Sequence, residues 1–539
     1  MALLQLEAMW QSDTIKHMRL LTWYHWLLFA TIVRPIQVVK YKIIHAHNTP
    51  SQAWIGQSIY RLKFHPLRRF PGPRIAACSS LYFLYWIYHG TFPQHCERLF
   101  DHYKSDVLRV APNQLVFRTP QSLKDIIGRH DVYRGDFALR VIGFTSQNVS
   151  NIRDPAAHKR KRKLMNPGFS NATLAKQEPA LVVPLVNKLV DAVAAKAGTK
   201  INMSNYFDCV TSDIIGLLSF GADFGMMQDP VSHPFLHVLP NALRMSVIAQ
   251  CIPEIFRLLS FLFRHGPPFL VPKTFTGVAD FAARHMRQRA QRDRDGVATD
   301  RNDIMSIIVD GTANVKDDNL RMDNDEMLGE ATTLVTGGGD TVATALTVTM
   351  WNLGRNTKVL AELQDQVRST FASCEDITSR DVASKIPMID AVLNESMRTN
   401  PVLPGPMWRR TDAPIVVAGH VVPGGTEVGV MRLSVFQHKD AFHKPKEWIP
   451  ERWLRNLGDH LEAFQPFGVG PRTCIGRYIA MVEMRLILTK LLWKFDWELL
   501  TKDYDNPEYV VLYRSPLWMK PSLRKDSMAE RPAQIHEPS

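Results

Sequence analysis

No two cysteines in this chain stand as a CxxC pair. The six that occur, at positions 78, 96, 209, 251, 374 and 474, follow no regular spacing. Disulfide frameworks belong to small secreted domains, so in a chain of 539 residues these read as reduced thiols facing a cytosol. The N-terminal apolar stretch, residues 20–33 (LLTWYHWLLFATIV), is shorter than the roughly 20 residues a spanning helix usually needs. No small-residue cleavage site follows it, which argues against a secretory signal. Zinc-finger, helix-turn-helix and RNA-binding signatures are lacking, so the formal net charge of +13 does not point to nucleic acid. An anionic membrane face and an acidic protein partner remain to use that charge. No flavin or nicotinamide fingerprint is present, so redox chemistry here would need electrons from another protein.

What is there centres on residues 467–476 (FGVGPRTCIG), a loop punctuated by glycine that carries one cysteine. Its glycines and proline keep the backbone turning and let it approach a flat ligand closely. The run that follows, to residue 495, has apolar residues at helical spacing. Cys474 therefore sits at a helix mouth, where unpaired amides and the dipole favour a thiolate, a form that suits a metal. Taken alone, a single cysteine at a turn is more often an ordinary buried residue.

A second long helical pattern covers residues 323–352, opened by acidic Asp323, Asp325 and Glu326. Gly337, Gly338 and Gly339 interrupt it, each costing about 1 kcal/mol relative to alanine. Yet the pattern resumes, which predicts a kinked helix with room for a ligand beside it. Asp340 and Thr341 would be a burial problem there unless they had work to do. Residues 387–399 (PMIDAVLNESMRT) predict a helix with Glu395 and Arg398 on one face, a pair worth little if exposed. Residues 154–170 begin with an Asp-Pro cap and carry five consecutive basic residues, 159–163, expected to be mostly a solvated face. His158 and Arg162 share one side of that helix. Residues 108–118 read as a hairpin about Pro112-Asn113, and Pro423 to Thr426 as a hairpin turn between Val-rich strands. Residues 60–74 (YRLKFHPLRRFPGPR) read as a stiff hinge, with a plain solvated linker as the alternative.

Taken together, these motifs resemble one family. F-x-x-G-x-R-x-C-x-G resembles the haem-ligand loop of the cytochrome P450 (haem-thiolate monooxygenase) family. Gly-Gly-Asp-Thr resembles its oxygen-activating helix, Glu395-x-x-Arg398 its E-x-x-R helix, and Pro-Glu-Arg-Trp at 450–453 the element bearing the second arginine, Arg452. The hinge string is similar to that of the filamentous-fungal secondary-metabolism branch. The resemblance implies a mostly α fold with a smaller β-rich region (α+β). It implies haem b with Cys474 as the axial iron ligand, a thiolate that pushes electron density towards O–O cleavage. Asp340 and Thr341 would be catalytic and deliver protons. His158, Arg162, Arg409 and Arg472 would bind the propionates, with Arg410 competing for the place of Arg409. Phe467 would shield the sulfur and Gly476 would complete the cofactor loop, while Val402 to Met407 would shape the substrate pocket. Glu395, Arg398 and Arg452 would form a structural lock. His158 in place of the common tryptophan and Val342 in place of a second threonine depart from the pattern.

The implied organisation is an anchor and linker over 1–59, a catalytic domain over 60–523 and a polar tail over 524–539. Trp23, Tyr24 and Trp26 would sit at a headgroup boundary, and Arg34, Lys40 and Lys42 would mark the cytosolic side. A second membrane-dipping surface over residues 253–275 is the alternative to core packing there. This places the chain at the endoplasmic reticulum membrane, with the catalytic domain facing the cytosol. The implied reaction inserts one atom of O2 into a small apolar metabolite: a terpenoid, polyketide or alkaloid. Electrons would come from NADPH through NADPH-cytochrome P450 reductase, with cytochrome b5 as an optional second donor. A non-oxygenating isomerase or dehydratase and a non-catalytic haem sensor are the competing classes; the Asp340-Thr341 pair disfavours the first.

Overall fold

A computed structural model describes residues 50–136, 147–231, 273–295, 303–313 and 321–524 except 505 and 510, together with positions 241, 244 and 261. The apolar stretch at 20–33 lies outside the described residues, as does 253–272 apart from Phe261 and the tail from 525. Among the described residues, no helix is long and apolar enough to cross a membrane.

Helices dominate and strands form smaller sheets, the α+β arrangement expected. Six helices matter for the site: α1 (Pro50–Lys63), α2 (Pro155–Met165), α3 (Met203–Phe220), α4 (Asn324–Arg355), α5 (Pro387–Thr399) and α6 (Arg477–Lys494). Helix α4 starts where its acidic first turn predicts. Asp323 accepts from the Glu326 amide at 2.7 Å while Glu326 accepts from the Asp323 amide, a capping box that satisfies two orphan donors. Asp154 caps α2 in the same spirit, accepting from the Ala156 and Ala157 amides at 3.2 and 3.0 Å. The middle of α4 is buried nearly all round, so the helix serves as the spine of the core.

The strands are β1 (Val107–Ala111), β2 (Gln114–Phe117), β3 (Tyr133–Arg134), β4 (Ile201–Asn202), β5 (Arg409–Arg410), β6 (Ile415–Val417), β7 (His420–Val422), β8 (Glu427–Val430), β9 (Phe495–Leu499), β10 (Glu508–Tyr509), β11 (Val511–Leu512) and β12 (Trp518–Leu523). The largest sheet runs β1-β2-β8-β5-β3. Its β1–β2 hairpin about Pro112-Asn113 is as predicted. The second hairpin is not. The tight turn falls at Ala418-Gly419, both with positive φ, and joins β6 to β7. Pro423 to Thr426 instead carries the chain between sheets, because β8 pairs with β2 and β5. Gly424 is needed on this route: a Cβ there would stand 2.4 Å from the Asp412 carbonyl oxygen.

The 60–74 segment is not a solvated linker either. Leu67 and Phe70 are buried, and the Arg109 amide donates to the Pro71 carbonyl at 2.7 Å. The Arg109 guanidinium reaches back to the Arg61 carbonyl at 2.9 Å, fixing α1 to the edge of the sheet.

Candidate active site

A cavity of about 440 Å³ lies between α4 and the 467–476 loop, with Val402, Leu403, Gly405, Pro406 and Met407 along one wall. The loop turns because Gly468 and Gly470 take φ of 77° and 75°, a region that favours glycine. Gly470 also packs tightly: a Cβ would stand 2.9 Å from the Gly128 carbonyl oxygen. The Cys474 amide then donates to the Phe467 carbonyl at 2.8 Å and the sulfur faces the cavity, just before α6 begins. Burial pushes this thiol up, opposed by the Gly476 amide and by the charges of Arg162, Arg432 and Arg477. Phe467, Gly476, His158, Arg162 and Arg472 all line the same cavity, while Arg409 does not.

Helix α4 forms the opposite wall and continues through its glycines without a break. The glycines do two jobs. Gly337 has open space where a Cβ would stand, next to the cavity it lines. Gly338 and Gly339 instead let α4 seat against α3, since Cβ atoms there would come within 2.3 Å of Ile215 and 2.8 Å of Ser212. The expected room beside the helix is therefore made by a missing side chain at Gly337. Thr341 lines the cavity and donates its hydroxyl to the Gly337 carbonyl at 2.8 Å. Asp340 does not line it. Its carboxylate meets Arg514 from the C-terminal chain at 2.6 Å.

Positive charge gathers at the cavity: Arg134, Arg432 and Arg472 line it, and Arg409 stands behind them. Strand register sets Arg134 opposite Arg409, an unfavourable pairing of like charges. Arg472 and Arg432 join them. Burial and the neighbouring guanidiniums push Arg134 down to about 9 and hold Arg409 well below its ordinary range. Burial alone takes Arg472 and Arg432 down to about 10. His158, buried beside them, is pushed down to about 4 and is therefore neutral. A guanidinium does not give up its proton in practice, so these shifts express an unmet need for negative charge. Among the described residues none of the four arginines has a carboxylate ion pair, and Arg409 Nη2, Arg472 Nη1, Arg134 Nε and Arg432 Nε lack partners. Arg410, by contrast, is paired with Asp136 at 2.6 Å.

The basic run on α2 is less exposed than its composition suggests. Lys161 is fully buried between Glu326 at 2.9 Å and Glu330 at 3.2 Å, and Arg160 also pairs with Glu326. Helical geometry turns these two onto α4, leaving Lys159 and Lys163 at the surface. Behind the site, Glu395, Arg398 and Arg452 are fully buried, and both arginines pair with Glu395.

A model of the family described as Cytochrome P450 matches residues 83–518. This chain belongs to the cytochrome P450 family. It is similar to the cytochrome P450 monooxygenase astJ of Aspergillus oryzae, 32% identical over 504 residues that cover 90% of this chain and 97% of the relative. It is also similar to aclL, another cytochrome P450 monooxygenase of Aspergillus oryzae, at 30% identity covering 87% of this chain and 95% of the relative. Averantin hydroxylase of Dothistroma septosporum is 31% identical, covering 86% and 87%. This P450 is thus an oxidoreductase of the monooxygenase kind, with a haem-thiolate centre, a small-molecule substrate and a redox partner.

Sequence reasoning missed several residues around this P450's site. Arg134 and Arg432 arrive by strand register and tertiary folding, with no local signal. Asp208 and Arg514 flank Asp340 from α3 and the C-terminal chain. Glu483 on α6 lines the cavity, 1% exposed, with neither oxygen partnered. Burial pushes its carboxyl well above the ordinary range, which favours the protonated form.

Proposed function

We propose that this P450 uses haem b to monooxygenate a small apolar metabolite of a fungal biosynthetic pathway, with electrons from NADPH through a flavoprotein reductase. The observation that carries the proposal is the cavity itself, which has a cysteine sulfur on its floor, a glycine-opened helix above and unpaired arginines on its lining. Two propionates would supply the anions that Arg134, Arg409 and Arg472 lack. A single sulfur ligand holds iron only when a macrocycle supplies further donors. Among the described residues no group of three or more His, Cys, Asp or Glu could do so instead. When bound, haem supplies the redox and oxygen-activating chemistry.

The chain's own residues then divide the remaining work. Cys474 would ligate the iron, positioned by the Phe467 and Gly476 turn. Arg162 braces that turn by donating to the Thr473 carbonyl. Thr341 holds a hydroxyl at the cavity face of α4, and with Asp340 it manages protons. The wall of Val402, Leu403, Pro406 and Met407 favours an apolar substrate and excludes water. Lys159, Lys163 and Arg477, all exposed, suit an acidic reductase surface.

Membrane residence at the endoplasmic reticulum, with the catalytic domain in the cytosol, belongs to the same reading. Trp54, Ile55, Ile59, Phe64 and Ile75 are each more than half exposed, and Arg61, Lys63 and Arg74 stand among them. That mixture suits a headgroup interface. The test of function is reconstitution of purified protein with reductase, NADPH and candidate metabolites. A Soret shift on substrate addition and NADPH-dependent, oxygenated product are expected, and Thr341→Ala should divert electrons to peroxide. Turnover that needs no NADPH would refute monooxygenation, and unchanged coupling in Thr341→Ala would remove that residue from proton delivery.

A further inference from the structure

The hydroxyls on the cavity lining share one polarity. Ser150, Thr333, Thr341 and Thr473 stand there, and each gives its proton to the protein. Ser150 donates to Asn148 Oδ1 at 2.6 Å and Thr333 to the Gly329 carbonyl at 3.0 Å. Thr341 and Thr473 donate to the Gly337 and Gly470 carbonyls at 2.8 and 2.7 Å. Thr341 belongs to proton handling and Thr473 to the cysteine loop, which leaves Ser150 and Thr333 for the substrate. Their donor roles are unambiguous. A carbonyl oxygen can only accept, and the Asn148 atom also receives the Ser150 and Asn151 amides at 3.0 and 3.1 Å, so it is the amide oxygen. Each hydroxyl retains lone pairs, and among the described residues neither oxygen accepts a bond in return.

A buried ion pair brings the two oxygens to the same part of the cavity. The Val149 amide donates to both oxygens of Glu330, at 2.9 and 3.1 Å. Glu330 stands three residues before Thr333 on one face of α4, so the turn at 148–151 is held against that stretch of the helix. Lys161 of α2 balances Glu330 at 3.2 Å, and both side chains are 0% exposed. The turn is closed by the Asn148 amide, which donates to Asn151 Oδ1 at 2.8 Å. Val149, Leu334 and Ile215 supply apolar lining around it.

We propose that Ser150 and Thr333 form an acceptor-only subsite that takes a hydroxyl or N–H of the substrate, and that Glu330 is the positioning residue that holds Ser150 there. The proposal rests on the reading of this cavity as the substrate pocket of a monooxygenase. It narrows the apolar metabolite of that reading to one that carries a hydrogen-bond donor. A carbonyl or ether placed here would set lone pairs against lone pairs, and its bonds to water would be lost without replacement. Ser150 and Thr333 could turn to meet it only by leaving Asn148 Oδ1 and the Gly329 carbonyl unanswered. A polar subsite of this kind separates a donor from its capped analogue more sharply than apolar contact separates one methylene.

The experiment uses full-length holoenzyme and imidazoles carrying phenylalkyl arms of graded length, each ending in hydrogen, hydroxyl or methoxy. Ligation of the iron by the imidazole is read as a Soret shift and gives the affinity. At the arm length that reaches the subsite, wild type should bind the hydroxyl form about 2- to 10-fold tighter than the methoxy form, the worth of a neutral hydrogen bond. Ser150→Ala with Thr333→Val should abolish that ratio, while Thr333→Ser should keep it. Glu330→Gln, which leaves Lys161 its contact with Glu326, should lower the ratio and speed hydrogen exchange at the Val149 amide. Plain imidazole should bind all variants alike, which separates a displaced subsite from a damaged fold. Equal affinity for hydroxyl and methoxy forms at every arm length, or a ratio that survives the double substitution, would overturn the subsite. An unchanged ratio and unchanged amide exchange in Glu330→Gln would overturn its positioning role. These readings need no turnover, so their failure is distinct from NADPH-independent turnover, which would overturn the monooxygenase reading.

Discussion

Replacing Glu395 by alanine strands the buried cation of Arg398 and leaves Arg452 to Asp459 alone. In the native structure Glu395 accepts two hydrogen bonds from Arg398, both at 2.8 Å, and one from Arg452 at 3.0 Å. It also accepts from the Ile449 amide at 2.8 Å and the Trp453 indole at 3.0 Å. All three charged side chains are 0% exposed, so no water stands ready to replace the carboxylate. Removing one partner of such a pair costs roughly 3–5 kcal/mol. Each of the two orphaned neutral donors adds about 1–3 kcal/mol. The loss therefore rivals the whole stability of a typical domain, about 5–15 kcal/mol. Arg398 would keep its carbonyl acceptors at Phe436, Pro445 and Glu447, but those cannot neutralise it. Glu395→Gln should fail nearly as badly, since it keeps the volume and loses the charge. The assay is haem content per polypeptide, read as pyridine haemochrome, beside the yield of soluble protein. Glu395→Ala protein with wild-type haem content and an unchanged melting temperature would refute the reasoning.

Gly338→Ala should destabilise by about 1–3 kcal/mol through overpacking against Ile215. The cost should shrink in an Ile215→Ala background; strictly additive denaturation midpoints would contradict this account of the glycine. Arg409→Leu should make the haem-free protein more heat-stable and weaken haem retention roughly 10- to 100-fold, the equivalent of one lost charge-assisted bond of about 1.5–3 kcal/mol. Arg410→Leu should leave retention unchanged, since Arg410 is committed to Asp136. Haem transfer to apomyoglobin measures both, and equal rates would remove the distinction. Glu483→Gln should be stabilising, increasingly so as pH rises. The folded-state acid is pushed above its ordinary 4.5, so the native state holds a proton that the unfolded chain has lost, and wild type weakens with rising pH. Chemical denaturation at acid and neutral pH tests this; a pH-independent gap between the two proteins would refute it.

What could be read from the chain beforehand was local. The turn bearing Cys474, the Asp154 and Asp323 caps and the Glu395–Arg398 spacing all depend on residues a few positions apart, where helix and turn geometry dictate contact. Lys161 shows the limit. Composition places it in a solvated run, yet Glu326 and Glu330 on α4 give it the one kind of burial a lysine tolerates. Asp340 is a second case. Its position beside Thr341 was legible, but Arg514 and Asp208 come from distant parts of the chain, and so the direction of its carboxylate was not. The glycines of α4 were legible as a weakness in a helix; only the placement of α3 reveals that two of them make a close packing contact.

Buried arginine is common to the lock behind the cavity and to the cluster beside it, and burial alone does not separate their roles. The separation lies in what meets the charge. Arg398 and Arg452 are answered within the chain by Glu395, and Arg452 also by Asp459. Arg134, Arg409, Arg432 and Arg472 are answered by no carboxylate ion pair among the described residues, and the sheet register forces two of them together. A fold that holds such a cluster is strained until an anion arrives, so binding and folding stability are coupled there. The lock carries no such debt to a ligand. Substitutions in the lock should therefore damage the protein whether or not haem is present, while substitutions in the cluster should relieve the empty protein and harm only the loaded one.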